Sequence, residues 1–507
     1  MNKRISINLI GQLISFVCLL GINFFMTPFV VENLGAEAYG FVGLANSFTG
    51  YISLITIALT SMLSRYVTVE YSRNNIEKAS EYLSTAVISQ LVLALILLVP
   101  MLILTNNIDH VVDISSSITS DVKLLWLLIF ITFLAGLPTG CFNVASFAKN
   151  RLDLQAIIGI ASNLIRAITL LIAFLYFPPK VWYVGLATIT AGIVTIIGNY
   201  FLKIRLLPEV KIACSKFRKQ RVSDLLMLGI WSSLSRLGTM FITGLDLLLT
   251  NIFINSVQMG LLSIAKSLPA QLGNLAGSVM NAFEPDITIN YAKNSKANFL
   301  GSVTSAMKMN GLICSIPLLG VACFGESFYS LWMPSLGQNE ISEIQILAVL
   351  TMLPQILEVY VQPLYSVNTV TKNVRLPVFI QIAIGVVNVG IVLILLQHTT
   401  LGVFAVAGVS SVLCVLKIVI FMPIYAAWCV GEKWFYFYGV LGKGLLNTCI
   451  IAAVFSLINI YFNIDSWKDL IVIAISSGAI GYVISFIVLM SKNDRAYLLK
   501  KLKIKKS

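Results

Sequence analysis

The stretch AISSGAIGYVISFIVLM, Ala474–Met490, decides the fold class of this chain. It contains no charged residue, and its apolar residues do not alternate with polar ones. Together with its neighbours, it is long enough to cross a hydrocarbon layer of about 30 Å as a helix. Only helices and closed barrels satisfy their backbone polar groups in lipid, and barrel strands require alternation. The stretch therefore predicts a transmembrane helix.

The rest of the chain has the same character. Of its 507 residues, 58% are hydrophobic and 11% are charged, whereas soluble domains carry roughly 25% charged residues. The apolar runs predict an all-α polytopic membrane protein with about fourteen transmembrane helices. The predicted spans are 8–31, 40–63, 84–106, 122–147, 154–177, 181–202, 225–253, 259–283, 301–324, 343–367, 377–397, 401–424, 440–462 and 468–490.

The basic residues of the loops predict the orientation. If both termini are cytoplasmic, most of the 35 Lys and Arg residues fall in cytoplasmic segments, as the positive-inside rule requires. We therefore expect a multi-pass inner-membrane protein with both termini in the cytoplasm. The net charge is +13, but the basic segment Lys203–Arg221 and the tail LLKKLKIKKS, 498–507, predict contact with anionic lipid headgroups and not with nucleic acid.

A faint internal repeat relates the two halves of the chain. A shift of 220 residues places Gly40 on Gly260, Ala45 on Ala265, Ser47 on Ser267, Tyr71 on Tyr291, Arg73 on Lys293 and Asn74 on Asn294. The same shift carries spans 1–3 onto spans 7–9, so each repeat would contain six spans in the same orientation. We expect two six-helix lobes, 1–222 and 223–430, with a substrate path between them. An extra helix pair with the basic tail, 431–507, would follow.

Basic residues inside the predicted spans are candidates for binding the anionic headgroup of a substrate. A buried charge costs several kcal/mol unless it faces a partner or a water-filled cavity. Arg166 and Arg236 are deep within their spans, and a guanidinium binds phosphate oxygens in pairs. Lys266 and Lys308 are the further candidates, although Lys308 and Lys417 are close enough to the cytoplasmic face to snorkel.

Two acidic residues also lie within predicted spans. Asp246, near the outer end of span 7, and Glu358, in span 10, are candidates for ion or proton coupling. The alternative for all these charged residues is that they pair with one another or with carbonyl groups and only join helices. Amide side chains are candidates for contacts with sugar hydroxyls, or else for helix–helix hydrogen bonds of about 1 kcal/mol or less. These amides are Gln12, Asn23, Asn46, Gln271 and Asn274.

The sequence lacks the residue clusters of an enzyme or a metal site. Eight cysteines are scattered without a CxxC pair, and the two histidines, His110 and His398, lie in separate predicted outer loops. No P-loop or GxGxxG follows a strand. We therefore expect no enzymatic activity, no cofactor and no metal ion.

Three stretches resemble bacterial polysaccharide repeat-unit flippases, the Wzx-type exporters of O-antigen, capsule and teichoic-type polymers. FFMTPFVVENLGAEAYGFVGLANSF, Phe24–Phe48, is similar to their first two spans. ALTSMLSRYVTVEYSRNN, Ala58–Asn75, is similar to the end of their second span and the following cytoplasmic loop. MNAFEPDITINYAKN, Met280–Asn294, is similar to the matching place in the second half. These exporters belong to the multidrug/oligosaccharidyl-lipid/polysaccharide exporter superfamily.

The resemblance implies transport of an undecaprenyl-(pyro)phosphate-linked oligosaccharide from the inner to the outer leaflet, by alternating access. Membrane lipids and the polysaccharide polymerase machinery are the expected partners. Two alternatives share the fold: a lipid II flippase and a cation-coupled multidrug antiporter. The predicted first span lacks the charged residues that both groups often carry there. A membrane-embedded glycan polymerase, ligase or glycosyltransferase is a third alternative, which would require larger outer loops.

Overall fold

The computed structural model describes residues 3–149, 151–281, 283–292 and 295–490, without the side chains of 3–13, 16, 228, 281, 285, 289 and 292. The described chain is helical and contains no β-strand, which confirms the predicted all-α class. The helices are α1 Lys3–Thr60, α2 Leu63–Ser72, α3 Ile76–Asn106, α4 Thr119–Gly140, α5 Val144–Ala148, α6 Leu152–Tyr176, α7 Trp182–Leu206, α8 Lys219–Thr239, α9 Asp246–Phe253, α10 Ser256–Asn281, α11 Glu284–Ala292, α12 Lys296–Trp332, α13 Gln338–Val370, α14 Arg375–His398, α15 Val403–Leu416, α16 Met422–Cys429, α17 Tyr438–Tyr461 and α18 Trp467–Leu489.

The membrane class is confirmed, whereas the number of spans remains a prediction. Among the described residues, eleven helices are long and apolar enough to cross a membrane, and one bent pair of helices raises the number to twelve. One of the eleven, Val17–Ser72, has 56 residues, which at about 1.5 Å per residue exceeds twice the hydrocarbon thickness. It contains a kink at Gly35 (φ 82°, ψ 165°), between the first two predicted spans. Glycine adopts this left-handed backbone without a steric penalty.

One compact unit comprises Met1–Gly260 together with Gln381–Val386. Within it, α1 and α10 cross at two glycines. A β-carbon on Gly40 would lie 2.9 Å from Gly260 Cα, and one on Gly260 would lie 2.3 Å from the Ala36 carbonyl oxygen. Since real β-carbons are not found this close to backbone atoms, the crossing depends on both glycines.

Helix α8 packs closely against α1 and α14 in the same unit. A β-carbon on Gly229 would lie 1.8 Å from the Ala58 carbonyl oxygen, and Ser233 Oγ donates to the Leu54 carbonyl at 2.7 Å. On another side of α8, a β-carbon on Gly238 would lie 2.8 Å from Gln381 Cγ. Small residues therefore allow the close helix approach that is common in membranes.

The second unit comprises Leu261–Ile380 and Val387–Ser507. In it, the buried Tyr360 ring of α13 lies against Gly311 of α12 and Gly444 of α17. Asn447 Nδ2 donates to Tyr360 Oη and to Ser485 Oγ of α18, both at 3.1 Å. These contacts attach α17 and α18 to α13. The predicted lobe boundaries at 222 and 430 remain predictions.

Two five-residue π-helical turns interrupt long helices. Met240–Gly244 separates α8 from α9, and Lys417–Phe421 separates α15 from α16. At each turn a tyrosine from another helix donates to a carbonyl group: Tyr51 Oη to Gly244, and Tyr438 Oη to Val419 at 2.8 Å. π-Helical turns are frequent at functional sites, and both lie beside predicted site residues.

Candidate functional site

Arg236 lies on a polar face of α8. At about 100° per residue, Ser232, Ser235, Arg236 and Thr239 share one face, opposite the exposed apolar residues Leu226, Met227 and Ile230. Arg236 is exposed, and it forms no ion pair within the described part of the chain. A face that opposes the apolar surface of a membrane helix borders protein or water and not lipid. The α8 polar face, residues 232, 235, 236 and 239, therefore presents one unneutralised guanidinium.

Helix α14 contributes an amide to the α8 polar face. Gln381 Nε2 donates to Thr239 Oγ1 at 2.7 Å, and Thr239 Oγ1 donates to the Ser235 carbonyl at 3.2 Å. This hydrogen-bonded chain lies one helical turn from Arg236, since residues three and four apart are neighbours on a helix. The face thus combines a cation with hydroxyl and amide groups, which suits a ligand that carries both phosphate and sugar.

Arg166 lies on α6 and approaches the kinked part of α1. It is half-buried and interacts electrostatically with Tyr39, which hydrogen-bonds to Thr27. Thr27 and Tyr39 flank the kink at Gly35. Arg166 has no carboxylate partner among the residues that the structure describes. The structure therefore places this guanidinium beside a neutral hydroxyl group and leaves its charge available to an anion.

Asp246 lies two residues after the end of the first π-helical turn. It is 2% exposed and begins α9, where a carboxylate is favoured by the positive end of the helix dipole. Tyr51, whose hydroxyl group binds the Gly244 carbonyl, interacts electrostatically with Asp246. The position fits both ion coupling and a structural role, so the coupling role remains a prediction.

In the second unit, Tyr365 connects two of the predicted charged residues. Tyr365 Oη donates to Glu358 Oε1 at 3.2 Å, and Lys417 Nζ lies 5.9 Å from the centre of the Tyr365 ring. Lys417 also begins the second π-helical turn. Glu358 is therefore hydrogen-bonded within its own helix, while Lys417 makes a cation–π contact. Lys266, on α10, is half-buried.

Lys308 lines a cavity of about 330 Å³ within the second unit. Its side chain is half-buried on α12, and the cavity also involves α17 and α18. The lining residues are Thr304, Lys308, Tyr436, Gly439, Val440, Lys443 and Leu489. The predicted headgroup residues are thus divided between the two units, with Arg166 and Arg236 in the first and Lys266 and Lys308 in the second. That all four bind one headgroup remains a prediction.

The predicted sugar-binding amides have different surroundings. Asn46 is exposed on α1, but its Nδ2 donates to the Val42 carbonyl at 3.0 Å. Asn23 is half-buried and Asn274 is exposed. Gln271 Oε1 is buried without a hydrogen-bond partner among the described atoms, which leaves it open to a donor. The side chain of Gln12 lies outside the described residues, as do Lys293 and Asn294 of the repeat and the basic tail.

All eight cysteines are free thiols. Within the described ranges, no three His, Cys, Asp or Glu side chains form a group that could hold a metal ion.

Comparison with known proteins gives the family. The family model described as "Polysaccharide biosynthesis protein" matches residues 3–285, which is more than half of the chain. The chain belongs to the polysaccharide biosynthesis protein family. The chain is also 28% identical over 502 residues to "Uncharacterized membrane protein EpsK" of Bacillus subtilis (strain 168), with 98% of each chain covered.

Solved structures show the same fold. The inward closed conformation of the lipid II flippase MurJ matches with a TM-score of 0.69 and 17% identity, over 94% of this chain and 97% of that one. An inward-facing multidrug resistance MATE family transporter of the MOP superfamily matches with a TM-score of 0.67 and 15% identity, over 84% and 97% of the two chains. The predicted membership in a polysaccharide biosynthesis family is confirmed by the family model, and the solved structures show that the chain shares the fold of these membrane transporters.

Several residues near the predicted site residues were not predicted from the sequence. Gln381 and Tyr39 are near the predicted arginines only because helices distant in sequence pack together. Lys443 lies at the edge of an apolar run, where a lysine is usually explained by snorkelling. A polar residue every three or four positions on α8 was the available signal for the α8 polar face.

Proposed function

We propose that this protein is a non-enzymatic flippase for an undecaprenyl-(pyro)phosphate-linked oligosaccharide in surface polysaccharide biosynthesis. Transport would run from the inner to the outer leaflet of the bacterial cytoplasmic membrane, with both protein termini in the cytoplasm. O-antigen and capsule precursors are substrates of this class, and the polysaccharide polymerase machinery would receive the product. The match to the polysaccharide biosynthesis family supports the glycan part of this proposal.

The observation that carries the proposal is the exposed guanidinium of Arg236 on the α8 polar face. It lies opposite the apolar surface of α8 and has no ion pair among the described residues. A (pyro)phosphate would neutralise it through paired hydrogen bonds. The neighbouring Thr239 and Gln381 side chains offer hydroxyl and amide groups to the sugars. Arg166, beside Tyr39, is a second candidate cation for the anionic headgroup.

Alternating access is the proposed mechanism. It requires that the headgroup bind less tightly after the protein has changed conformation, since uniform tight binding would prevent release. The π-helical turn Met240–Gly244 lies four residues after Arg236 and could bend α8 relative to α9. A bend at this turn would move Arg236 together with α8 relative to α9.

Arginine substitutions test the proposal in cells that depend on this protein for polysaccharide export. We expect Arg236→Ala to reduce export at least tenfold at an unchanged protein level, and Arg236→Lys to retain part of it, because lysine keeps the charge but not the paired geometry. The matched control is Arg205→Ala, which removes an exposed arginine at the end of α7. Equal export by Arg236→Ala and Arg205→Ala would contradict the role of the α8 polar face.

A cation-coupled multidrug antiporter is the second candidate, and one observation favours it. Asp246 is buried next to the π-helical turn, as a proton- or ion-coupling carboxylate would be. Drug efflux that is lost in Asp246→Asn, with polysaccharide export unchanged, would favour this candidate. A lipid II flippase of the same fold is distinguished by its cargo, because its loss would accumulate the peptidoglycan precursor.

A further inference from the structure

The segment that joins α7 to α8, residues 207–218, is attached to α3 by hydrogen bonds. Three hydroxyl groups of α3 accept backbone N–H groups of this linker at 3.1–3.2 Å. The acceptors Ser80, Ser84 and Thr85 are fully buried. The donors are the N–H groups of Lys211, Ala213 and Arg218. The linker therefore follows α3 in a fixed position, although it is not itself helical over most of its length.

Apolar side chains attach the same linker to the interior of the first unit. Leu207 and Val210 are fully buried and belong to one hydrophobic cluster. The cluster also contains Val67 of α2, Leu83 of α3 and Leu225 of α8. Burial of each large apolar side chain contributes about 1.5–3 kcal/mol. The linker is thus part of the core that joins α2, α3 and α8, and not a loose tether.

Two consecutive residues of α3, Glu81 and Tyr82, hold the beginning of α8. Arg221 Nε donates to Glu81 Oε2 at 3.1 Å, and Arg218 Nε lies 3.5 Å from Glu81 Oε1. Tyr82 Oη donates to Asp224 Oδ2 at 3.1 Å. The Arg221 guanidinium lies 4.8 Å from the centre of the Tyr82 ring and also donates to Asp224 at 3.2 Å. These five side chains therefore form one connected network between α3 and the first two turns of α8.

The centre of this network is shielded from water. The Glu81 side chain is 14% exposed and that of Arg221 is 17% exposed, while Tyr82 is buried. Exposed ion pairs contribute little to stability because water and salt screen them. In contrast, removal of one partner from a buried pair leaves a charge without compensation. We therefore expect Glu81 to hold α8 more firmly than a surface ion pair would.

Helix α8 connects this network to the α8 polar face. Arg236 follows Arg221 by about 22 Å along the helix axis, and the π-helical turn Met240–Gly244 comes next. Both α3 and α8 belong to the first unit. With the first turns of α8 held on α3, a bend at the π-helical turn changes the position of α9 relative to Arg236 and leaves α8 on α3.

We propose that Glu81 is a positioning residue at the centre of a latch that holds α8 on α3 and thereby sets the position of Arg236. The latch consists of Glu81, Tyr82, Arg218, Arg221 and Asp224. The attachment of α8 to α3 is independent of transport, whereas the effect of the latch on export rests on the proposed flippase function.

Hydrogen exchange of the purified full-length protein in detergent measures the latch directly. We expect the amides of residues 208–224 to exchange about tenfold faster in Glu81→Gln than in the wild type, because two guanidinium groups lose their carboxylate. Salt at about 1 M should accelerate this exchange in the wild type more than in Glu81→Gln, since it screens charge pairs. A loss of packing alone would give no such difference in salt response.

The matched control for hydrogen exchange is Glu77→Gln, which removes an exposed carboxylate from the same helix. It should leave the exchange of residues 208–224 unchanged. If Glu81→Gln does not fold, Arg218→Gln replaces it, because the Arg218 side chain is 55% exposed, and an acceleration of about threefold is expected. Exchange in Glu81→Gln, or in its replacement, that equals the wild type would overturn the proposal.

Polysaccharide export tests whether the latch positions Arg236. We expect Glu81→Gln to reduce export about tenfold at an unchanged protein level, since small displacements of a binding group have effects of this size. Glu81→Asp should restore part of the export because it keeps the charge. Faster exchange in Glu81→Gln, together with export equal to that of Glu77→Gln, would contradict the positioning role and leave the flippase proposal intact. Failure of the flippase proposal is recognised separately, because depletion of the wild type would then change no lipid-linked glycan.

Discussion

Gly40 and Gly260 lie against each other where α1 crosses α10, close enough that a β-carbon on Gly40 would be 2.9 Å from Gly260 Cα. The same two residues coincide when the sequence is shifted by 220 positions. The backbone contact requires glycine at both positions, and the division into two repeats remains a prediction.

Replacement of Gly260 by alanine should destabilise the protein. Its β-carbon would lie 2.3 Å from the Ala36 carbonyl oxygen, and overpacking of this kind costs typically 1–3 kcal/mol or more. The matched control is Gly50→Ala in α1, where a β-carbon would meet nothing within 4 Å. Thermal melting in detergent checks the prediction. A Gly260→Ala variant that melts no lower than Gly50→Ala would show that the two helices separate without cost.

The second π-helical turn depends on a hydroxyl group from α17. Tyr438→Phe removes the donor to the Val419 carbonyl, and we expect a loss of about 1 kcal/mol in stability because the carbonyl loses its partner. Tyr461→Phe, at the exposed end of the same helix, should have no effect. The melting temperatures of the two variants in the same detergent decide the matter, and equal values would contradict the prediction.

The buried amide of Asn447 should be essential for attaching α17 and α18. Asn447→Leu leaves the hydroxyl groups of Tyr360 and Ser485 without this donor, so we expect a loss of roughly 1–3 kcal/mol. Hydrogen exchange should increase in α18 before it increases in α3. Cys449→Ala, an exposed position on α17, serves as the control. Unchanged exchange in Asn447→Leu would mean that apolar packing alone holds the two helices.

The exposed ion pair between Lys123 and Asp109 should make a pH-dependent contribution to the stability of the protein. The hydrogen bond from Lys123 Nζ, 2.8 Å from Asp109 Oδ1, lowers the pKa of Asp109 below its ordinary value of 3.8. Because the folded pKa is lowered, the stabilisation is present above the unfolded pKa and is lost as the pH falls through the folded one. Asp109→Asn should therefore melt lower than the wild type at neutral pH, and the difference should shrink as the pH falls through the lowered pKa of Asp109.

Asp465→Asn is the control for this comparison. It removes an exposed carboxylate that has no ion pair within the described residues. A constant difference between Asp109→Asn and the wild type across the whole pH range would contradict the electrostatic explanation.

The helices were predictable because lipid allows few alternatives. Apolar runs that cannot alternate must be helical, and most residues of the predicted spans are helical in the described part of the chain, although the spans 122–147, 225–253 and 401–424 each cross a 3-10 or π-helical turn. The kink at Gly35 falls between two predicted spans, but no local pattern indicated that the helix would continue on both sides of it. The π-helical turns were not predictable either, since they depend on donors such as Tyr51 and Tyr438 from other helices.

The candidate site was predictable only one residue at a time. The rarity of charges in membrane helices singled out Arg166, Arg236 and Lys308. Their surroundings depend on tertiary packing, which brings Gln381 to Thr239 and Lys443 to the Lys308 cavity. For the same reason, snorkelling was a sufficient explanation for Lys308 in the sequence, whereas the structure shows that Lys308 lines a cavity.

The most direct test of the central proposal is to deplete the protein and measure the polyprenyl-linked glycans of the cell by mass spectrometry. The flippase proposal predicts that a complete repeat unit accumulates on its lipid carrier and that surface polysaccharide is lost. Restoration by the wild type and by Arg205→Ala, but not by Arg236→Ala, would assign the effect to the α8 polar face. Unchanged levels of every lipid-linked glycan after depletion would contradict the proposal.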